Sequence, residues 1–390
     1  MGLILIYLWL ERLGLERDRR RVPRRVCVTG SRGKSSVTRL IAAALREDGE
    51  VVLAKTTGSK PVLILPDGTE REIRRAGAPS LLEQKHLLRL ASRLGARTLV
   101  AEMMSIRPES LEVESRRIFK AGLVAVTNVR LDHLDLMGST RAAVASSLAA
   151  AFPEAGEVLF PAEEREPAFE RAAKACGARL VPIRAAEPGR EPTQALPYPE
   201  VEPNIRLAMA VARRLGVPDD VARRGMARVK PDFGSLRLWQ TEVGDPPQTV
   251  WLASAFAAND PSSSLAAVGR VLEMVPARER RVVAILNLRE DRGDRSRQWL
   301  DALGQDRLAA FDYLFVVGGA ARPFVRIAEK ARPYVRPSLF LSPNASPDVV
   351  TRSAAGRAGE GGIVIGLGNM GGLGESLVTH WSRIGRVHGH

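Results

Sequence analysis

The run Gly30-Ser31-Arg32-Gly33-Lys34-Ser35-Ser36 sets two glycines, a lysine and three hydroxyls within one short turn. Glycines let a backbone approach an anion closely, and unpaired N–H groups at a helix start attract negative charge. On that chemistry Lys34 reaches the β- and γ-phosphates of a nucleotide, and the Ser35 hydroxyl ligates Mg2+. Only two residues separate the glycines, against four in the general nucleotide-triphosphatase loop. Further along, Glu102 in "TLVAEMM" is a carboxylate suited to the same Mg2+ shell. Asn128, Asp132, His133 and Asp135 follow in "TNVRLDHLD". The chain has five histidines, two of them in its last three residues, so a histidine flanked by carboxylates stands out.

These groups need elements that bring them together. Val26 to Thr29 reads as a buried strand, because β-branched residues in a short apolar run fit a pleated core. From Ser35 onward, Val37, Leu40, Ile41 and Ala44 share one helical face, which makes Gly30 to Lys34 a strand-to-helix turn. "TLVAEMM", "AGLVAVTNV", "RVVAILNL", "YLFVVGG" and "GIVIGLG" are further strand candidates separated by helix-length segments. That alternation predicts parallel α/β sheets, and ligands of such sheets collect at the carboxyl ends of the strands. Glu102 and Asn128 both fall at such ends.

Composition narrows the function. A chain of 390 residues, 45% hydrophobic, can bury sizeable cores and suggests two or three domains. Two cysteines, Cys27 and Cys176, build neither a disulfide framework nor a metal quartet. The net charge of +14 admits acidic substrates, anionic lipid or nucleic acid. Aromatics are only 5% and are not interleaved with the basic residues as stacking platforms, which argues against nucleic acid.

The N-terminus is of another kind. "GLILIYLWL", Gly2 to Leu10, is apolar all round, and seven arginines follow before Val26. So short a run cannot cross a hydrocarbon core, which needs about 20 residues. A signal peptide would carry its positive charge first and a small-residue cleavage site after. An interfacial or partner-docked helix with arginines near lipid phosphates is the preferred reading, over a helix packed on its own domain.

Taken together these motifs resemble the Mur ligase superfamily, ATP-dependent amide ligases with a shortened G-x-x-G-K-[ST] loop, a strand-end Glu and a T-N-x-x-x-D-H-x-D segment. Within it, the chain is similar to the ligase subunit of poly-γ-glutamate (capsule) synthase. The similarity runs through "RGKSSVTRL", "KTTG" at Lys55 to Gly58, "EQK" at Glu83 to Lys85, "DHLDLMGST", "FAANDPSSS", "NLREDRGDR" and "GLGNMGGLG". It implies a P-loop-containing central domain with a parallel sheet, residues 23–232, and a smaller Rossmann-like α/β domain, residues 233–390. Residues 1–22 would be the docking helix, with the boundary at "KPDFGS" set by Pro231 and Gly234.

The resemblance further implies ATP and Mg2+ as cofactors and a glutamate or polyglutamate substrate, joined by an amide through an acyl phosphate. Gly30, Ser31, Arg32, Gly33, Lys34, Ser35, Ser36 and Asn128 would bind the nucleotide. Asn204, at the start of "NIRLAMAVARRLGV", would approach the adenine, although the histidine and first asparagine of the family's H-N-x-x-N pattern are absent. Arg237 would reach the γ-phosphate. Ser35 and Glu102 would hold one Mg2+ and His133 the other. Lys34, His133, Arg289 and Arg292 would be catalytic, the two arginines gripping substrate carboxylates beside Arg295 while the C-terminal domain closes over the nucleotide. A membrane-embedded synthase subunit and a place on the cytoplasmic face of the cell membrane are implied as well, and a homo-oligomer is compatible.

Two departures matter. Many Mur ligases carry a carbamylated lysine about fifteen residues after the histidine, but no lysine lies between His133 and Lys174. They also carry a UDP-sugar-binding domain before the loop, which here begins at residue 30, so the acceptor is expected not to be a UDP-muramyl peptide. Other readings are an ATPase that energises a membrane partner and a ligase for another amino-acid polymer. A dinucleotide site at Gly366, Gly368 and Gly371 is disfavoured, since only 19 residues remain after Gly371 for the rest of a βαβ unit.

Overall fold

The computed structural model describes residues 2–58, 61–75, 80–131, 134–185, 200–276, 280–304, 310–331, 338–340 and 345–388. They fall into two compact units that meet in sequence at Asp232 and Phe233.

The first unit is built on an eight-stranded sheet in the order β4-β3-β2-β5-β1-β6-β7-β8. Its strands are β1 (Arg24–Thr29), β2 (Val52–Thr56), β3 (Val62–Ile64), β4 (Glu70–Glu72), β5 (Thr98–Glu102), β6 (Leu123–Val126), β7 (Glu157–Pro161) and β8 (Arg179–Ile183). β1 lies between β5 and β6 and is parallel to both, with Val26, Cys27 and Val28 sealed in the core. Strands buried on both faces read as continuous apolar runs, which is why these were legible. The expected parallel sheet needs one correction: β3 and β4 are antiparallel, at one edge. A tight turn at Pro66-Asp67-Gly68 reverses the chain between them, with Gly68 at φ +86° and Asp67 accepting from Thr69 N at 2.9 Å. A turn that short can join only antiparallel strands.

Three helices bear on the site. α1 (Gly2–Arg21) precedes β1, α2 (Lys34–Glu47) follows the glycine turn, and α3 (Leu81–Arg93) precedes β5. α2 buries Val37, Leu40, Ile41 and Ala44 along one face. α1 has two different halves. Asp18, Arg19 and the following Val22 are buried against the unit, and Arg19 Nε donates to Ile118 O at 3.0 Å. Ile6, Leu8, Trp9, Leu10 and Leu13 are exposed.

The second unit is a seven-stranded sheet in the order β13-β12-β11-β14-β10-β9-β15. Its strands are β9 (Arg237–Val243), β10 (Gln248–Ser254), β11 (Val282–Asn287), β12 (Tyr313–Val317), β13 (Ser338–Phe340), β14 (Ile363–Gly368) and β15 (Arg386–His388). β10 to β14 run parallel, while β9 and β15 form an antiparallel edge. Trp239, Trp381 and Phe256 pack together in its core, and Trp381 Nε1 donates to Thr351 Oγ1 at 2.9 Å. The glycine-rich run that ends β14 and follows it serves packing: Gly366 faces the Phe256 ring, and Asn287 Nδ2 donates to Asn369 O at 2.6 Å.

Candidate active site

The chain leaves β1 at Thr29 and enters α2 at Lys34, so the turn between them sits at the carboxyl end of a central strand. Gly30 and Gly33 have φ values of +125° and +77°. Glycine occupies such backbone at no steric cost, whereas an L side chain is strained there. A Cβ on Gly33 would also come within 2.6 Å of the Asn204 carboxamide, and one on Gly30 would collide with Thr127. The glycines are thus required by backbone angle and by close packing together.

The segment after β6 fixes the turn. Arg32 N donates to Asn128 Oδ1 at 3.1 Å, and Asn128 Nδ2 donates to Arg32 O at 3.0 Å. Ser31 N donates to Asn128 O at 3.1 Å, and Ser31 Oγ donates to Arg130 O at 2.8 Å. Asn128 and Ser31 therefore shape the turn from behind. Lys34 Nζ folds back on Gly30 O at 2.8 Å, which leaves its ammonium over the turn. Ser36 stands half-buried in the first turn of α2.

Ser35 Oγ donates to Glu102 Oε2 at 2.7 Å, and Thr57 N donates to the same oxygen at 2.7 Å. Glu102 is only 3% exposed, so its charge depends on these donors. Hydroxyl and carboxylate oxygens form a hard donor set that suits Mg2+, which binds one or two carboxylates and keeps water and phosphate oxygens for the rest. Among the described residues no group of three or more His, Cys, Asp and Glu is arranged to hold a metal alone. Ser35 and Glu102 by themselves would leave most of such a cation's shell to nucleotide and water oxygens.

The other expected residues are placed as follows. Asn204, 4% exposed, lies against Gly33 and donates to Glu200 Oε1 at 2.8 Å, so its carboxamide meets the turn itself. His133 lies outside the described residues. In the second unit, the Arg237 guanidinium stands 5.9 Å over the Phe233 ring. Arg289 pairs with Asp291 at 2.8 and 2.7 Å, Arg292 with Asp294 at 3.2 and 3.1 Å, and Arg295 Nη1 donates to Asn369 Oδ1 at 2.7 Å. Exposed Arg289 and Asp291 can exchange this pairing for a ligand carboxylate at little cost.

Residues that the sequence reading did not assign to the site complete it. Thr57 supplies a backbone donor. Asp232 lies beside Gly58 and Ser35, with Oδ1 3.5 Å from Arg39 Nη2. Lys55, fully buried, reaches Glu83 Oε1 at 2.5 Å and Gln84 Oε1 at 2.9 Å, so "KTTG" and "EQK" meet in space. Arg75 grips Glu83 at 2.8 and 2.9 Å. Gln84 Nε2 donates to Glu114, which also accepts from Met104 N and Ser105 N, both at 3.2 Å.

Burial alone would push the Glu83 carboxyl up, but hydrogen bonds and charge from Arg75 and Lys55 outweigh it and hold Glu83 at about 2, against an ordinary 4.5. A depressed carboxylate contributes stability that is present above its unfolded pKa and lost as pH falls toward its folded one. Glu114 runs the other way, because burial raises it against the bonds from Ser105 and Met104, and acid relieves that cost. Urea unfolding of the wild type should therefore show stability falling between pH 4.5 and about 2, and Glu83→Gln should flatten that limb. An unaltered limb in Glu83→Gln would contradict the assignment.

Comparisons with known proteins agree with this geometry. Residues 28–176 match the Mur ligase middle domain, and residues 241–384 match the poly-gamma-glutamate synthase CapB C-terminal domain. The chain is 29% identical to "Capsule biosynthesis protein CapB" of Bacillus anthracis, over 96% of this chain and 80% of that protein. It is 28% identical to "PGA synthase CapB" of Bacillus subtilis (strain 168), over 97% and 95%. Among solved structures, a Yersinia pestis bifunctional folylpolyglutamate synthase/dihydrofolate synthase complexed with AMPPNP and Mn ion aligns with a TM-score of 0.67 at 16% identity, covering 95% and 92% of the two chains. MurF from Acinetobacter baumannii aligns at 0.66 and 17%, covering 95% and 80%. With a Mur ligase middle domain around the glycine turn, a CapB-type C-terminal domain and relatives matched along nearly its whole length, the chain belongs to the CapB-like branch of the Mur ligase family.

Proposed function

We propose that this chain joins glutamate units through γ-amide bonds, activating a substrate carboxylate with ATP as an acyl phosphate. Its class, ATP-dependent amide ligase, follows from the family. The observation that carries the finer reading is the pairing of a glycine turn at the start of α2 with Ser35 and Glu102, set at the carboxyl ends of adjacent strands β1 and β5.

A carboxylate is a poor electrophile, since its charge repels nucleophiles and oxide is a poor leaving group. Phosphorylation removes both obstacles. A carboxylate oxygen attacks the γ-phosphorus and ADP leaves; an amine nitrogen then attacks the acyl carbon, phosphate departs with that oxygen, and the amine loses a proton. The residues of the turn bind and orient the phosphates, and Lys34 offsets charge on the group in transfer. Ser35 and Glu102 would hold a divalent cation, which when bound adds further charge neutralisation. The ATP-dependent relatives, one of them crystallised with AMPPNP and manganese, support a nucleotide and a divalent ion; Mg2+ is the ion we propose. His133 is proposed to hold a second ion, and Arg289 and Arg292 to grip substrate carboxylates by bidentate pairing.

Glutamate as the polymerised unit is supported by the match to the poly-gamma-glutamate synthase CapB C-terminal domain and by the similarity to the Bacillus subtilis PGA synthase. Incubating the protein with ATP, Mg2+ and glutamate should give γ-linked chains and ADP by mass spectrometry. Chains from another amino acid alone, or ADP without any amide, would overturn the reading.

We also infer that the outer half of α1 docks on the cytoplasmic face of the cell membrane, beside a membrane-embedded synthase subunit. Among the described residues no helix is long and apolar enough to span a bilayer. Support comes from exposed Ile6, Leu8, Trp9, Leu10 and Leu13 next to exposed Arg12, Arg17, Arg20 and Arg21. Not every arginine of the cluster is exposed. Arg19 is buried, Arg25 Nη1 donates to Arg19 O at 3.1 Å, and Arg24 reaches Glu50 Oε2 at 3.5 Å. Removing residues 1–10 should release the protein from vesicles containing phosphatidylglycerol and leave nucleotide affinity within about twofold, whereas a cut at residue 20 strips buried Asp18 and Arg19. Cosedimentation unchanged by the shorter cut would contradict docking through α1.

A further inference from the structure

"KTTG" and "EQK" carry part of the family resemblance, yet the chemistry above assigns no role to their side chains. The fold brings them together behind the active-site turn. Gln84 is the central member: its Oε1 accepts from Lys55 Nζ at 2.9 Å, and its Nε2 donates to Glu114. Glu114 then accepts from Met104 N and Ser105 N, at 3.2 Å each. One side-chain amide therefore ties the exit of β2 to the exit of β5.

What lies between those anchor points is the cation-side pair. Lys55 and Ala101 are register partners on the adjacent strands β2 and β5. Thr57 is two residues beyond Lys55, and Glu102 is two residues before Met104. Thr57 N and Glu102 Oε2 meet there at 2.7 Å, and Ser35 Oγ joins the same oxygen at 2.7 Å. Both strand exits are pinned just outside the atoms that must face the nucleotide.

Energetics favours a positioning role over a stabilising one. Burying Lys55 and Glu114 costs several kcal/mol per ion, and pairing repays this without much surplus, so apolar residues of similar volume would stabilise as well. Apolar packing does not fix the direction of a carboxylate, whereas a chain of directional hydrogen bonds does. Glu114 also sits in a π-helical turn, Val113–Phe119, a local departure from α-helix that is frequent at functional sites.

We propose that Lys55, Gln84 and Glu114 are positioning residues that aim the Glu102 carboxylate and Thr57 N toward Ser35, and so set the affinity for the divalent cation that accompanies the nucleotide. This rests on the reading of Ser35 and Glu102 as cation-side donors. Outer-shell partners of this kind are worth about 10- to 100-fold in metal affinity.

The test is fluorescence titration of a labelled ADP analogue, in EDTA and at increasing Mg2+, on the full chain. Wild type should bind more tightly with Mg2+. In Gln84→Met, which cuts the link between Lys55 and Glu114, the Mg2+ midpoint should rise about 10-fold while binding in EDTA stays within twofold. An unchanged midpoint in a folded Gln84→Met protein overturns the proposal, as does an equal loss with and without Mg2+. Should Gln84→Met not fold, Glu114→Gln carries the same readout with side-chain shape retained, and failure of both to fold assigns the network to stability and overturns the proposal. Mg2+-independent binding by the wild type would instead overturn the underlying reading of Ser35 and Glu102.

Discussion

Replacing Lys34 with alanine is expected to lower ATP turnover by about 10³-fold or more while leaving the protein folded. The lysine opens α2 at the end of the glycine turn, half-buried, and its ammonium donates to Gly30 O at 2.8 Å. Losing one such hydrogen bond costs about 1 kcal/mol, too little to unfold the unit. The same charge placed on a phosphoryl group in transfer meets the charge that develops there, where a single preorganised donor carries orders of magnitude in rate. ADP release measured beside a thermal melt separates the two effects. Wild-type turnover in a well-folded Lys34→Ala protein would contradict the assignment of the turn.

Glu102→Gln should produce the second large effect, a rise of about 10-fold or more in the Mg2+ required for half-maximal activity. Glutamine keeps an oxygen that can accept from Ser35 Oγ and Thr57 N, the two donors at 2.7 Å, so the local fold has little reason to change. What it lacks is the charge, and a hard divalent cation draws most of its binding from charge. Asparagine-like neutral oxygens are weak substitutes. His133→Ala should shift the same titration less, since a neutral imidazole offsets less of its proposed ion's charge than a carboxylate does. An unchanged Mg2+ midpoint in both variants would contradict both proposed ligand roles.

How much of this was legible in the sequence depends on the range over which each feature is encoded. β1, the turn and α2 occupy consecutive residues, and their signals are local: a β-branched run, glycines at left-handed φ, and an apolar helical face. Glu102 and Asn128 could be read because both follow apolar strands directly, and strand order brings both to the turn. The Lys55–Gln84–Glu114 network could not, because its members are joined across 29 and 30 positions and lie on a strand, a helix and a π-turn. Nothing in their local pattern distinguishes a buried lysine from a solvated one. Asp232 is a similar case, read only as part of a boundary string until packing set it beside Gly58. The arginines after Leu10 show the reverse error, in which a charge run reads as one exposed face although Arg19 is buried and bonds the carbonyl of Ile118. The antiparallel edge at β3 and β4 was missed because three-residue strands are too short to carry a period.

The account rests on one chemical claim, that a substrate carboxylate takes the γ-phosphoryl group of ATP before an amine displaces it. Glutamate carrying 18O in its γ-carboxylate tests this most directly, with the inorganic phosphate released during chain formation analysed by mass spectrometry. The account predicts one 18O atom in each phosphate, together with ADP, because the oxygen that attacks phosphorus leaves with it. Amide formation with unlabelled phosphate, or with AMP and pyrophosphate as products, would contradict it.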